Sequence, residues 1–518
     1  MMTNKKIWAA MAFAAGAVCI APQAAMAGKS NDTLTWATAS EVDTIDLYYQ
    51  NLREVVIMAH QMCDTLMHRD PRTGEYKPLL AESFKWADDK TLEFKLRHGV
   101  KFHNGKELNA EDVAYTFNHA RQPDSGVVTR LLVDWIENVE AVSPDTVRFK
   151  AKAPTPAAIE YLSGITPVYP KGHYDKAPSV PGAAGKMRRD YGAVVPMCTG
   201  PYKVKEFKPG SSVTLVKNTD YFKGSPKGQP SIGTLVYRTI PDTETQVAEL
   251  VTGGLDWIWG VPPENAKQLA SMENVTVKAA PTTRISFLSL DAAGRSGETP
   301  MKKQQVREAV AYAIDRKAIS HDLVGEGSEP LVSMCYPAQF GCSTDVKDYP
   351  YNPQKAKDLL KEAGFPDGFE IPLYAYRDRP YTEAVANYLR AVGIKTDLRF
   401  LQWKALRGPL QEGKVAMAHL SWGSQGVLDA SASVSNYFEG SVDDYARDEE
   451  VKKWLDAADS TIDPDKRKEL YGKALKKIAD KAYFVPLFSY GRTYAFNKEL
   501  DIPVTPDELA HFYLAKWK

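Results

Sequence analysis

The 518-residue sequence predicts an α/β protein. Short stretches with an apolar residue at every second position alternate with longer stretches whose apolar residues recur every three or four positions. The two kinds interleave along the chain, which excludes a helix bundle and an all-β sandwich. Pro (33) and Gly (34) are spread throughout, as expected of many turns rather than one flexible linker.

Thr91–Leu96 alternates cleanly and reads as a half-buried strand. Asn109 then caps a helix in which Val113 and Phe117 share a face. Thr146–Ala151, with Val147 and Phe149 on one side, and Ser212–Val216, through Val213 and Leu215, are further strands. Lys302–Ile319 places Val306, Val310, Ala313 and Ile314 on one stripe and predicts a single helix. Asn352-Pro353 starts another helix, carrying Ala356, Leu359, Leu360 and Ala363 and ending at Gly364. Asp463-Pro464 repeats that start, with Leu470, Ala474, Leu475 and Ile478 as the buried face, and the aromatic-rich Tyr483–Phe496 reads as strand.

The first 27 residues differ from the rest. Lys5 and Lys6 precede an apolar stretch from Ile7 to Pro22, and Ala25-Met26-Ala27 is a small-x-small cleavage site. The apolar run is short of the roughly 20 residues a spanning helix needs, and Gly16-Ala17-Val18 before Cys19 is a poor lipoprotein box. A secreted, periplasmic product cleaved after Ala27 is therefore expected. Without the two leader lysines it carries 63 basic and 65 acidic residues, so no global basic field draws it to nucleic acid or anionic lipid.

An oxidising compartment permits disulfides. Cys335 and Cys342 enclose a short segment in which Pro337 and Gly341 allow a turn back, so a disulfide is expected, worth about 2–3 kcal/mol; two free thiols are the alternative. Cys63 and Cys198 have no sequence-local partner and are expected to be buried thiols. No Cys-x-x-Cys spacing, nucleophile elbow, phosphate-binding loop, His-Glu-x-x-His or dinucleotide fingerprint occurs, and the nine histidines are scattered. No catalytic residue, metal ligand or cofactor is assigned, and the chain is read as no enzyme.

Seven segments, in order, carry a resemblance. They are Leu79-Leu-Ala-Glu-Ser-Phe-Lys-Trp86, Thr91 to Gly105, Leu108-Asn-Ala-Glu-Asp-Val113 with Phe117, Cys198-Thr-Gly-Pro-Tyr202, Asn218-Thr-Asp-Tyr221, Val306 to Arg316 and Tyr351 to Gly364. Together they resemble the extracellular solute-binding protein family 5, which includes dipeptide, oligopeptide and nickel receptors. The resemblance implies a two-lobed periplasmic-binding-protein fold (class II, cluster C type). Lobe I would take residues 28–283 and 487–518, with an extra subdomain near 70–195, and lobe II residues 284–486. The chain would cross between lobes near residues 283 and 487. A monomer closing on a solute and handing it to an inner-membrane ABC permease is the implied mechanism. Within the matched segments, Gly105 and Gly200 are read as positive-φ turn positions, and Asp315 and Arg316 as ion-pairing at a helix end.

Dipeptide receptors of this family hold an ammonium with an aspartate after a Trp-Gly-like turn. Here the turn reads Ser421-Trp-Gly-Ser-Gln-Gly-Val-Leu-Asp429. Trp422 matches and is expected to pack on the solute, whereas Gln425 stands where the aspartate is usual. An amide cannot supply the charge a desolvated ammonium needs. Either Asp429 takes that role or the ligand lacks a free α-ammonium, as in an opine. Arg379, in Arg377-Asp-Arg-Pro-Tyr381, matches the arginine that meets a dipeptide carboxylate. Its truncation to alanine is expected to cost about 1.5–3 kcal/mol of binding. Tyr48, Tyr49 and Gln50 follow a segment that reaches the cleft in such receptors. Two further ligand classes fit the same fold, a nickel or metal chelate and an oligosaccharide. A secreted hydrolase is the enzyme alternative, which would cut peptides rather than return them intact.

Overall fold

A computed structural model describes residues 28–181, 187–423 and 426–518. The expected leader, with its predicted cleavage after Ala27, lies outside them. One 11-stranded sheet runs through the molecule. Its strands stand in the order 202–208, 212–217, 234–239, 33–38, 257–259, 484–497, 275–290, 417–422, 369–375 and 394–400, and Glu329–Pro330 pairs with the strand Phe484–Asn497. Thr33–Thr38 is parallel to Thr234–Thr239, and Phe369–Ala375 is parallel to Ile394–Phe400. Each is the parallel unit of one half of the chain.

The halves are joined by two long strands. Val275–Leu290 and Phe484–Asn497 pair antiparallel from Val275↔Asn497 to Ser289↔Phe484. Their register slips between Pro281 and Ile285, opposite Gly491 and Ser489. Gly491 is required there, because a Cβ on it would lie 2.3 Å from the Glu326 carbonyl oxygen. Apolar packing divides at the same place. One core is drawn from residues 34–275 and 494–515, around Trp36, Tyr237, Trp257 and Phe512. The other is drawn from residues 285–490. Val427 and Ala432 of the second half pack into the core of the first.

The first half carries a four-stranded antiparallel sheet, ordered 81–86, 91–96, 146–151, 136–143. Helix Ala110–Ala120 covers it. Asn109 and Asp112 form a capping box, in which Asn109 accepts from the Asp112 backbone N–H and Asp112 accepts from the Asn109 backbone N–H. Phe117 and Phe94 then meet Phe149 edge to face at 5.0 and 5.6 Å, all three fully buried. Burying each such ring contributes about 1.5–3 kcal/mol.

Several local expectations change. Cys63 and Cys198 are not free thiols but a disulfide, with Cα atoms 4.8 Å apart. Cys335 and Cys342 form a second one. Gly200 does not need a positive φ; it needs the absence of a side chain, because a Cβ would stand 2.5 Å from the Met62 carbonyl carbon. Gly105 does sit at φ 87°. The helix read over Lys302–Ile319 ends at Ala313, since Ile314 is extended and Asp315 caps a new turn by accepting from the Ala318 N–H. Asp315 is thus a cap rather than an ion-pair partner, and Arg316 pairs with Asp348. The apolar stripe ran on through Ile314, but a capping aspartate overrides periodicity.

Candidate functional site

The two halves meet over a cavity of about 460 Å³. Arg69, Arg72 and Tyr76 line it from the first half, Phe340 and Leu428 from the second, and Thr283 from the crossing. Beside it the halves are tied directly. The Leu428 N–H donates to Glu160 at 2.7 Å, Arg69 donates to the Gly426 carbonyl at 3.2 Å, and Arg69 stands 3.5 Å from Glu160. Tyr76 also donates to Glu160.

At the crossing a single carboxylate gathers three arginines from distant parts of the chain. Arg53 opens the helix Arg53–Met62, Arg284 lies on the first crossing strand and Arg492 on the second. Arg53 donates to Glu508 at 2.9 Å and to the Asp507 carbonyl at 3.2 Å, and Arg492 donates to Glu508 at 3.2 Å. The Arg284 Nε lies 3.5 Å from the same carboxylate. Burial alone would raise the Glu508 carboxyl, yet the guanidiniums of Arg53, Arg284 and Arg492 hold it at about 2. Glu508 is sealed, with a side chain 2% exposed, while Arg53, Arg284 and Arg492 keep 18, 17 and 27% of theirs. The reachable face of the cluster is therefore cationic.

Aromatic rings flank it on the second half, at the ends of the strands Phe369–Ala375 and Met417–Trp422. Tyr376 packs on Trp403 at 4.8 Å, and Trp422 meets Tyr437 edge on at 5.9 Å. Trp422 is half-buried, and its indole N–H donates to the Ala432 carbonyl at 2.6 Å. Gly423 lets Arg284 lie against this wall, since a Cβ would stand 2.8 Å from the Arg284 Nη2. Gln425 lies outside the described residues.

Of the residues singled out in the sequence, only Trp422 stands on this wall among those described. Asp429 is no spare carboxylate. It is buried, and both oxygens accept from Arg467, at 3.1 and 3.0 Å, while the Ser431 N–H and hydroxyl also donate to it. Arg379 is 56% exposed, paired with Glu383 and set over the Phe400 ring. Its neighbour Arg377 is the one whose charge acts on Arg284 and Tyr490. Asp378, at φ 53°, accepts from the Tyr490 hydroxyl at 2.9 Å and so pins that loop to the second crossing strand. Tyr48 is fully buried and donates to the Pro167 carbonyl. Tyr49 bonds His119 within a ring cluster of Tyr174 and Tyr191. Gln50 accepts from the Leu52 N–H. That segment contributes to the junction through Arg53 instead. Sequence reading missed Arg53, Arg284, Arg492 and Glu508, which no motif links.

Comparison with known proteins supports the architecture. The family model for bacterial extracellular solute-binding proteins, family 5, matches residues 75–445. The glutathione-binding protein GsiB of Salmonella choleraesuis is 28% identical over 482 residues, covering 90% of either chain. Among solved structures, the ABC transporter-associated periplasmic binding protein DppA of Helicobacter pylori, in complex with the peptide STSA, is similar. Its TM-score is 0.77 at 22% identity, covering 96% of this chain and 99% of that one. The binding protein AgaA of A. tumefaciens R10, in complex with agropinic acid, gives 0.76 at 24% identity, covering 94 and 99%.

Proposed function

This chain belongs to the bacterial extracellular solute-binding proteins, family 5, and from that membership we propose that it captures a peptide or peptide-like solute between its two lobes. It hands the solute, unaltered, to an ABC permease in the inner membrane. The observation that carries this reading is the cavity of about 460 Å³ at the crossing of two separately cored lobes. GsiB is named for glutathione, a peptide, and AgaA was solved with agropinic acid. The receptor works as a monomer, with its leader removed after Ala27. No helix among the described residues is long and apolar enough to cross a membrane.

The test is to denature purified protein and identify the released solute by mass spectrometry, then to return it to refolded, empty protein. Recovery of the same molecule, with a smaller radius of gyration on rebinding, is the expected result. A solute recovered chemically changed, or scattering unaltered by it, would remove the reading.

Two substitutions probe the closing geometry. Glu160→Ala deletes the acceptor that meets Leu428 and the partner of Arg69 across the lobes. It should weaken solute binding about 10- to 100-fold, the equivalent of a charged hydrogen bond, and expand the unliganded chain in scattering. An unchanged dissociation constant would show that the tie carries no closing energy. Arg379→Ala, by contrast, removes an exposed i,i+4 pair and should change affinity by less than about 0.5 kcal/mol. Arg377→Ala should cost about 1.5–3 kcal/mol. Calorimetric titration of both variants with the identified solute decides between the two arginines.

A further inference from the structure

We infer that the cleft selects solutes of net negative charge, with a carboxylate of the solute seated on Arg284 at the lobe crossing. The inference deepens the transport reading above and rests on it for the cleft.

The charge balance at the crossing is unequal. Arg53, Arg284, Arg377 and Arg492 stand against the carboxylates of Glu508 and Asp378. The neighbouring Asp507 adds a third carboxylate, which accepts from His511 at 3.0 Å and from the Thr505 hydroxyl at 2.7 Å. Arg69 and Glu160 cancel each other. One positive charge is left over where the protein is partly sealed from water. A guanidinium held in such a place gains most from an anion that supplies two acceptor oxygens.

The hydrogen-bond inventory points to the same group. Among the described residues the guanidinium of Arg284 donates no hydrogen bond; its Nε is sealed from solvent and without a partner, and so is the Nε of Arg492. Buried guanidinium N–H groups are almost always satisfied. Glu508 does not satisfy the Arg284 group, whose Nε stands 3.5 Å from its nearer oxygen without donating to it. Arg284 is held in place from the other side. It lies against Gly423, while Arg377 stands 5.8 Å over the Tyr376 ring, whose hydroxyl bonds Ser421 at 3.0 Å. Trp422 pairs in register with Ile285, the residue after Arg284, so an acid carrying an apolar or planar portion finds an aromatic residue near the charged one.

The test uses ligand-stripped, refolded protein and three dipeptides of one length, Glu-Glu, Gln-Gln and Lys-Lys, with citrate as a non-peptide polycarboxylate. Thermal shift and calorimetric titration are run at matched ionic strength, on the native chain and on Arg284→Gln. Glu-Glu should bind about 10- to 100-fold tighter than Gln-Gln, Lys-Lys should not bind, and the preference should collapse in the variant. Arg377→Gln gives a second variant should Arg284→Gln fail to fold. Response to citrate but to none of the dipeptides upholds the charge preference and removes the peptide. Equal binding of Gln-Gln, binding of Lys-Lys, or no selective response to any anionic probe overturns the inference.

Discussion

The double variant Cys63→Ser/Cys198→Ser should lose about 5 kcal/mol of stability, most of what a typical domain has. The two cysteines are 135 residues apart in sequence. Between them lies the whole excursion that builds the four-stranded sheet and its covering helix. The bridge closes that excursion at its base, where the chain leaves helix Arg53–Met62 and returns before the strand Tyr202–Lys208. Loop-closure entropy rises with the logarithm of loop length, so this bridge constrains the unfolded chain far more than Cys335–Cys342, which spans 7 residues and is worth about 2–3 kcal/mol. Its surroundings add to the loss. Lys227 donates to the Cys63 carbonyl at 2.7 Å and to Asp64 at 2.9 Å, and Asp64 also accepts from Thr199 and Tyr221, all buried. Slackening Cys63 loosens a buried ion pair whose partners cannot be rehydrated cheaply. Denaturant unfolding of the two double-serine variants side by side is the check. A loss at Cys63/Cys198 no greater than at Cys335/Cys342 would show that the base of the excursion holds without its covalent tie.

Glu508→Gln should be the second most damaging change, at about 3–5 kcal/mol. The substitution keeps shape and removes the one charge that Arg53, Arg284 and Arg492 share. Three guanidiniums then face one another with nothing between them. Acid should reproduce part of the effect in the native chain. The Glu508 carboxyl sits at about 2, below its ordinary 4.5. A carboxyl depressed on folding contributes stability that is fully present above the unfolded value and lost as pH falls from there through the folded one. Its contribution, about 3 kcal/mol, is thus complete above pH 5 and disappears between about pH 4.5 and 2. Glu508→Gln should lack this component, so its stability curve should be flatter in that window. Parallel curves for the two proteins would mean that Glu508 is not the carboxylate that neutralises the cluster.

Much of the fold was legible because its signals are local. Asn109, Asn352-Pro353 and Asp463-Pro464 announce helix starts with side chains that accept from the next turn's N–H groups. Thr91–Leu96 buries Leu92, Phe94 and Leu96 on one side, as its alternation requires. The site was less legible because its parts come from four places, around residues 53, 284, 492 and 508, and meet only once the crossing strands pair. No spacing in the chain connects them. Asp429 and Arg379, read from their place in a turn, each have a near partner in the structure, Arg467 and Glu383. Cys63 found Cys198 by the same long-range closure that local reading cannot see.

The paired crossing strands set how this receptor can move. Two separate linkers would let the lobes swivel independently, but a hydrogen-bonded ladder behaves as a leaf spring, pliant out of its plane and stiff within it. The slip between Pro281 and Ile285, opposite a glycine with no side chain to obstruct it, is where such a spring flexes. A closure of the kind proposed above would then trace one arc and leave little orientational freedom to surrender on capture.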